Sequence, residues 1–296
     1  MSERLKHFSK YLSDGGIYPC NIFTSLVFEC PEQVLTAIKN VDSCVSLRDR
    51  VLCNCFAQTE IDCDCLSMPL LNHLVYIISS FSKPFDLAQK IMEALIERGC
   101  DVNKIDADIG SVLHSVICCI DNDNQMNVSP NESEMSLRCL DFLLSLNVCD
   151  IDLDVGYDNS SKARGTPLAL AVQKELVIVV KKLIVFGVCV SKTTINRWVI
   201  PEILNENCIE IFDLLFEAGL RFTTQWEDNN RQVLVRDNTE IKFKDWIQNK
   251  KCVPMKLKSL ARIVLRDVFN DKNSINFILI PKSLRLYLNF EEILYN

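Results

Sequence analysis

Three kinds of side chain in this sequence could carry chemistry: clustered thiols, histidines and carboxylates. The thiols are the most suggestive, because Cys53-Asn-Cys55 and Cys63-Asp-Cys65 place four sulfurs within a short span. Four thiolates brought together can hold a tetrahedral zinc ion. Each pair, however, is spaced Cys-x-Cys rather than by the two to four residues that zinc sites favour. The chain holds fifteen cysteines in all, and Cys118, Cys119, Cys139 and Cys208 sit inside helical apolar runs. Cysteine is therefore used here as a small hydrophobe. The odd count and the missing apolar leader argue against a disulfide framework and for a reducing cytoplasmic setting, with the nucleus also open to the chain. No metal is expected, and Cys53, Cys55, Cys63 and Cys65 stand as the sole candidates.

The other two kinds of residue give less. His7, His73 and His114 lie in unrelated contexts, and no Gly-x-Ser-x-Gly, phosphate loop or His-Glu-x-x-His occurs. Pairs such as Asp106 and Asp108, or Asp152 and Asp154, fall in loop compositions where solvated charge is the ordinary explanation. No cysteine has a histidine and a third orienting group beside it in the pattern nucleophilic catalysis needs. The expectation is a non-catalytic chain with no cofactor. A net charge of −7 without a basic stripe speaks against nucleic acid, since phosphate neutralisation needs clustered Lys and Arg. No run of about 18 apolar residues is present, so no membrane span is expected. A hydrophobic content of 48% is enough for a substantial core and excludes gross disorder.

The elements that would position any functional residue show a recurring phrase from about residue 67. Helix endings read Ala94-Leu-Ile-Glu-Arg-Gly99, Phe142-Leu-Leu-Ser-Leu-Asn147, Lys182-Leu-Ile-Val-Phe-Gly187 and Leu214-Leu-Phe-Glu-Ala-Gly219. Each closes on a residue able to turn left-handed, where glycine meets no steric cost and asparagine tolerates it. Helix openings sit upstream at Met68-Pro-Leu-Leu71, Ser111-Val-Leu-His114 and Thr166-Pro-Leu-Ala169. A Ser or Thr there can cap exposed N–H groups, and proline is favoured in the first turn. Leu176 to Phe186 is apolar nearly all round, which suits a helix between neighbours; a buried strand competes for its Val-Ile-Val-Val core. Polar insertions are read at Asp121–Glu134 and Tyr157–Lys162. Before the repeat, residues 1 to 20 read as a frayed lead-in ending at Asp14-Gly-Gly16. Glu32–Asn40 reads as a short helix with Val34, Leu35 and Ile38 on one face, and Val41–Cys55 as a second apolar segment.

A capped short helix, an apolar second helix and a Gly exit, recurring, resembles the ankyrin repeat, whose opening is Thr-Pro-Leu-His. The best copy is Gly165 to Val190, and the copy around Pro201–Gly219 lacks the threonine opening. By the same resemblance His114 takes a structural hydrogen bond. Thr223–Cys252 reads as a polar connector whose Trp226 and Trp246 pack rather than bind.

The last stretch is amphipathic. Leu257, Leu260, Ala261, Val264, Leu265 and Val268 share one helical face, Lys256, Lys258, Ser259, Arg262 and Arg266 the other, and only Ile263 breaks the split. About 35 residues with one apolar stripe per helix cannot close a core alone. The pattern resembles the SOCS box of substrate receptors for cullin–RING ubiquitin ligases. That resemblance implies an elongin C contact through Leu257, Leu260, Ala261, Val264 and Leu265. It implies a cullin contact, with cullin five, through Ile278, Ile280, Pro281, Leu284, Tyr287 and Leu288. Ala261 stands where the family carries cysteine, a loss of about 1 kcal/mol of packing. Leu279 replaces the first proline of the cullin element, which weakens the choice of cullin more than the elongin contact.

The expected architecture is all-α: an ankyrin-repeat helical solenoid with degenerate repeats, followed by a small three-helix SOCS box. Its divisions are an N-terminal cap or degenerate repeat over 1–66, the array over 67–222, a connector over 223–252 and the box over 253–290. The implied function is a non-catalytic adaptor. It would hold a protein target on the array and recruit elongin B and elongin C, a cullin and a RING protein, so that the target is ubiquitinated by proximity. The alternative is an ankyrin-type scaffold or inhibitor whose C-terminal helices are only a cap.

Overall fold

The structure is a computed structural model, and it describes residues 3–14, 18–42, 47, 50–53, 67–79, 85–106, 109–125, 130–146, 165–188, 190, 206–220, 249, 260–261, 263–265 and 288. It is mostly helical and falls into two compact units, Met1–Ile151 and Asp152–Asn296. The division lies inside the stretch assigned to a single array from sequence.

The first unit begins with helices α1 (Glu3–Asp14), α2 (Cys20–Glu29) and α3 (Pro31–Lys39). The frayed lead-in is thus corrected: α1 is amphipathic and buries Leu5, Phe8, Tyr11 and Leu12. Leu5, Phe8 and Leu12 follow i, i+3, i+7, a face that a short window ending at the glycine pair does not make conspicuous. Phe8 and Phe23 of α2 lie 5.4 Å apart between ring centroids, which ties α1 to α2. In α3, Val34 and Ile38 are buried as expected, and Ala37 takes the place foreseen for the half-exposed Leu35.

A further correction concerns a small sheet. Its strands are β1 (Tyr18–Pro19), β2 (Val51–Cys53) and β3 (Ser67–Pro69), in the order β1-β2-β3. β2 runs parallel to β1 and antiparallel to β3, with Leu52 opposite Tyr18 and Met68. The apolar segment Val41–Cys55 supplies strand β2, and Met68-Pro69, read as a helix opening, ends a strand before the next helix opens at Leu70. Proline donates no ladder hydrogen bond, and both prolines occur on the edge strands while the central strand has none.

α4 (Leu70–Ser79), α5 (Phe85–Glu97), α6 (Val112–Gln125) and α7 (Pro130–Ser145) complete this unit. The polar insertion at 121–134 is corrected too: Asp121–Gln125 extends α6, and Pro130 opens α7 in the first-turn position where its missing N–H costs nothing. Successive helices pair and the pairs abut: α2 packs on α4 and α4 on α6, while α3 packs on α5 and α5 on α7. Arg138 of α7 reaches α5, sitting 4.7 Å over the Phe85 ring and 3.4 Å from the Asp86 carboxylate.

The second unit contains α8 (Pro167–Gln173), α9 (Val177–Phe186) and α10 (Glu206–Glu217). Thr166 caps α8 by accepting the Ala169 N–H at 3.2 Å, with Pro167 in the first turn. α9 is a helix, not the competing strand, and packs between α8 and α10 while burying Val179, Val180, Leu183, Ile184 and Val185. Lys181 on α9 joins Glu210 on α10 at 2.9 Å.

Helix exits share one geometry. Gly99, Gly187 and Gly219 have φ of 90°, 109° and 114°, and the N–H of the following residue bonds back five positions: Cys100 to Leu95, Val188 to Leu183, Leu220 to Leu215. Cys100, Val188 and Leu220 are all buried. This is the Schellman closure, in which the residue after the left-handed turn adds an apolar contact to the returned hydrogen bond. Asn147, the fourth expected exit, lies outside the described residues.

Candidate functional site

Of the residues assigned to a partner contact, Leu260, Ala261, Val264 and Leu265 are described, and each is helical. Leu260 is 47% exposed and Val264 52% exposed. Ala261 is exposed and Leu265 half-buried. Residues four apart lie one above the other on a helix, so Leu260 and Val264 form one facet with Ala261 beside it. Among the described residues most large apolar side chains are enclosed, so these two stand out. Among the described residues, Ile105 and Ile178 are the remaining large hydrophobes exposed to a similar degree.

Ile263, the residue that broke the amphipathic split, is half-buried. Its Cδ1 lies 3.5 Å from where a Cβ on Gly219 would stand, so its side chain faces the exit turn of α10 across the space a methyl group would fill. The helix is held by one side and presents another.

Leu257 lies outside the described residues, as do Ile278, Ile280, Pro281, Leu284 and Tyr287 of the cullin element. Leu288 is helical and only 3% exposed, so it is enclosed by the chain as it stands. Trp226 and Trp246 also lie outside. Of the zinc candidates, Cys53 belongs to strand β2, and Cys55, Cys63 and Cys65 fall outside. Among the described residues no group of three or more His, Cys, Asp or Glu side chains is arranged to hold a metal. Nor is any helix among them long and apolar enough to cross a membrane.

One buried polar network links two helices of the first unit. The Ser111 backbone N–H donates to His114 Nδ1 (3.2 Å), and the Ser111 hydroxyl is hydrogen-bonded to the same nitrogen (2.9 Å). Asn72 at the start of α4 donates to the Gly110 carbonyl (3.3 Å) and to Ser115 Oγ (3.1 Å). All four side chains are buried. They join α4 to α6 through hydrogen bonds that a buried polar group requires. Sequence reading gave His114 such a role but missed Asn72, whose partner is 38 residues away. Gly110 was missed as well. It has φ of 78°, and a Cβ there would meet His114 Cγ at 2.9 Å.

Two buried thiols, Cys100 and Cys139, are poor nucleophiles. Burial pushes the Cys100 thiol up to about 12, and burial raises Cys139 still further, with the neighbouring Cys119 adding to the rise. A thiol so raised stays protonated and unreactive near neutral pH. A groove of about 440 Å³ between α1 and α3 is lined by residues including Leu5, Ser9, Ser13, Gln33, Thr36 and Asn40. The hydroxyls of Ser9, Ser13 and Thr36 donate to carbonyls one turn back (3.0, 3.2 and 2.8 Å), and among the described residues that line it none is ionisable. Comparison of the chain with protein-family models, with curated proteins and with solved structures gave no match.

Proposed function

We propose that this chain is a substrate-recognition adaptor of an elongin B/C–cullin–RING ubiquitin ligase, built as an ankyrin-type array with a C-terminal SOCS box. The observation that carries the reading is the facet of Leu260, Ala261 and Val264, left open on a helix that its own chain holds from a different side. An apolar helix face of this kind fits a hydrophobic groove on a partner, read at i and i+4. Abutting helix pairs and the repeated exit geometry support the array. Two rows of helices, each touching the next member of its own row, are what stacked helical repeats produce.

In this reading the array holds an intracellular protein target and the box docks on elongin C. A cullin, with cullin five favoured by the resemblance, then brings the RING protein and its conjugating enzyme. The chain itself supplies proximity, raising the local concentration of target lysines near the conjugating enzyme. The enclosed Leu288 has a packing role in this scheme, and the rest of the cullin element makes the contact.

That enclosure also favours a second reading, in which the C-terminal helices cap an ankyrin-type scaffold or inhibitor without ligase function. Co-expression with elongin B and C separates the two. The adaptor elutes as a stoichiometric complex; the scaffold elutes alone.

A further inference from the structure

A helix of about five described residues that shows its apolar facet to solvent needs something to keep that facet outward. Left free to roll, it would turn Leu260 and Val264 onto the nearest apolar surface, because burying them is favourable by the hydrophobic effect alone. Successive residues are set about 100° apart around a helix, so Ile263 projects roughly 60° from Leu260 and roughly 100° from Val264. A side chain facing Gly219 from that position covers neither.

Gly219 is suited to the other half of the contact on two grounds. Its φ of 114° is a conformation that residues with a side chain rarely adopt, so the Schellman exit of α10 itself calls for glycine. The turn also has Ile263 as its nearest neighbour on the open side, with three carbons of that side chain 3.5, 3.7 and 3.7 Å from the position a Cβ would fill. The residue that closes α10 also seats the C-terminal helix.

We infer that Ile263 and Gly219 form a positioning pair: Ile263 is a peg seated on the α10 exit turn, and the seat sets which side of the C-terminal helix is offered to a partner. Ile263 acts through Leu260, Ala261 and Val264 and is not itself a partner contact. The inference rests on the proposed docking role for its functional consequence, but the seat can be tested without any partner.

The test is hydrogen exchange of the full chain at the amides of residues 260–265, followed by titration with the elongin B/C heterodimer. Ile263→Ala is expected to speed exchange there about tenfold while α10 stays protected, since only the local opening equilibrium changes. The same variant is expected to weaken elongin binding about three- to tenfold, because the competent orientation is less populated. Leu260→Asp should do the reverse, abolishing binding with little change in exchange. Should Ile263→Ala unsettle α10 itself, Ile263→Val, one methyl shorter, serves instead, with a change of about twofold confined to 260–265. Unchanged exchange in the Ile263 variants overturns the seat. Altered exchange in a chain that never binds elongin upholds the seat and refutes the ligase reading.

Discussion

Gly110→Ala should destabilise the first unit far more than a glycine-to-alanine change in an exposed loop. Two costs combine at this position. The backbone sits at φ of 78°, and a side chain in the left-handed region costs about 1–2 kcal/mol. The added methyl would also stand 2.9 Å from His114 Cγ and 3.0 Å from Nδ1, closer than carbon can approach. The ring must move, and it is hydrogen-bonded to the backbone N–H and the hydroxyl of Ser111 within a buried network that also includes Asn72 and Ser115. Disturbing a buried hydrogen bond costs about 1–3 kcal/mol. We therefore expect a loss of about 3 kcal/mol, or a fall in Tm of roughly 6–12 °C for a unit of this size. Urea unfolding followed by far-UV circular dichroism reads the change. Tryptophan fluorescence gives the contrast, because Trp198, Trp226 and Trp246 all lie beyond residue 151 and report the second unit. In a His114→Ala background the ring contacts are gone and only the Cβ of residue 114, 3.1 Å away, still crowds the added methyl, so the same substitution should cost less than in the wild type, about 2 kcal/mol. An equal cost in both backgrounds, or a cost below about 0.5 kcal/mol, would refute the close approach of Gly110 and His114.

Two further outcomes follow from the described geometry. Thr166→Ala removes the cap on α8 and should cost about 1 kcal/mol, measured by urea unfolding followed by tryptophan fluorescence, with Thr166→Ser restoring most of it. Cys100 and Cys139 should resist iodoacetamide at pH 8 in the native chain and label readily in urea, as read by peptide mass spectrometry. The same burial has a pH consequence. With the folded pKa of Cys100 at about 12 and the unfolded value near 9, only the unfolded chain loses this proton in between, so stability is intact below pH 9 and declines as pH rises toward 12. Cys100→Ala should flatten that decline.

Local chemistry was legible in the sequence wherever it is repeated. Gly99, Gly187 and Gly219 close helices as their phrases imply, and Thr166-Pro167 opens one, because capping depends on a few adjacent residues. α9 was readable as a helix from its Gly exit despite a β-branched core. What escaped was long-range. α1 is held by Phe23 and its neighbours, contacts that no window around residues 1–20 contains. The sheet joins residues 18, 52 and 68, three segments far apart in the chain whose pairing no local pattern specifies. Gly110 needs its small size because of His114, and Asn72 earns its burial from a carbonyl 38 positions away. At the candidate site the spacing marked one apolar face with Ile263 as a flaw in the pattern, and only the structure shows that Ile263 faces the exit turn at Gly219.

The most direct measurement is co-purification of the full chain with elongin B and elongin C, comparing wild type with Leu260→Asp and Val264→Asp. The account predicts a stoichiometric complex for the wild type that either aspartate abolishes, with circular dichroism of both variants unchanged because these side chains are already about half in solvent. A wild-type chain that elutes free of elongin, or aspartate variants that bind as well as wild type, would contradict it.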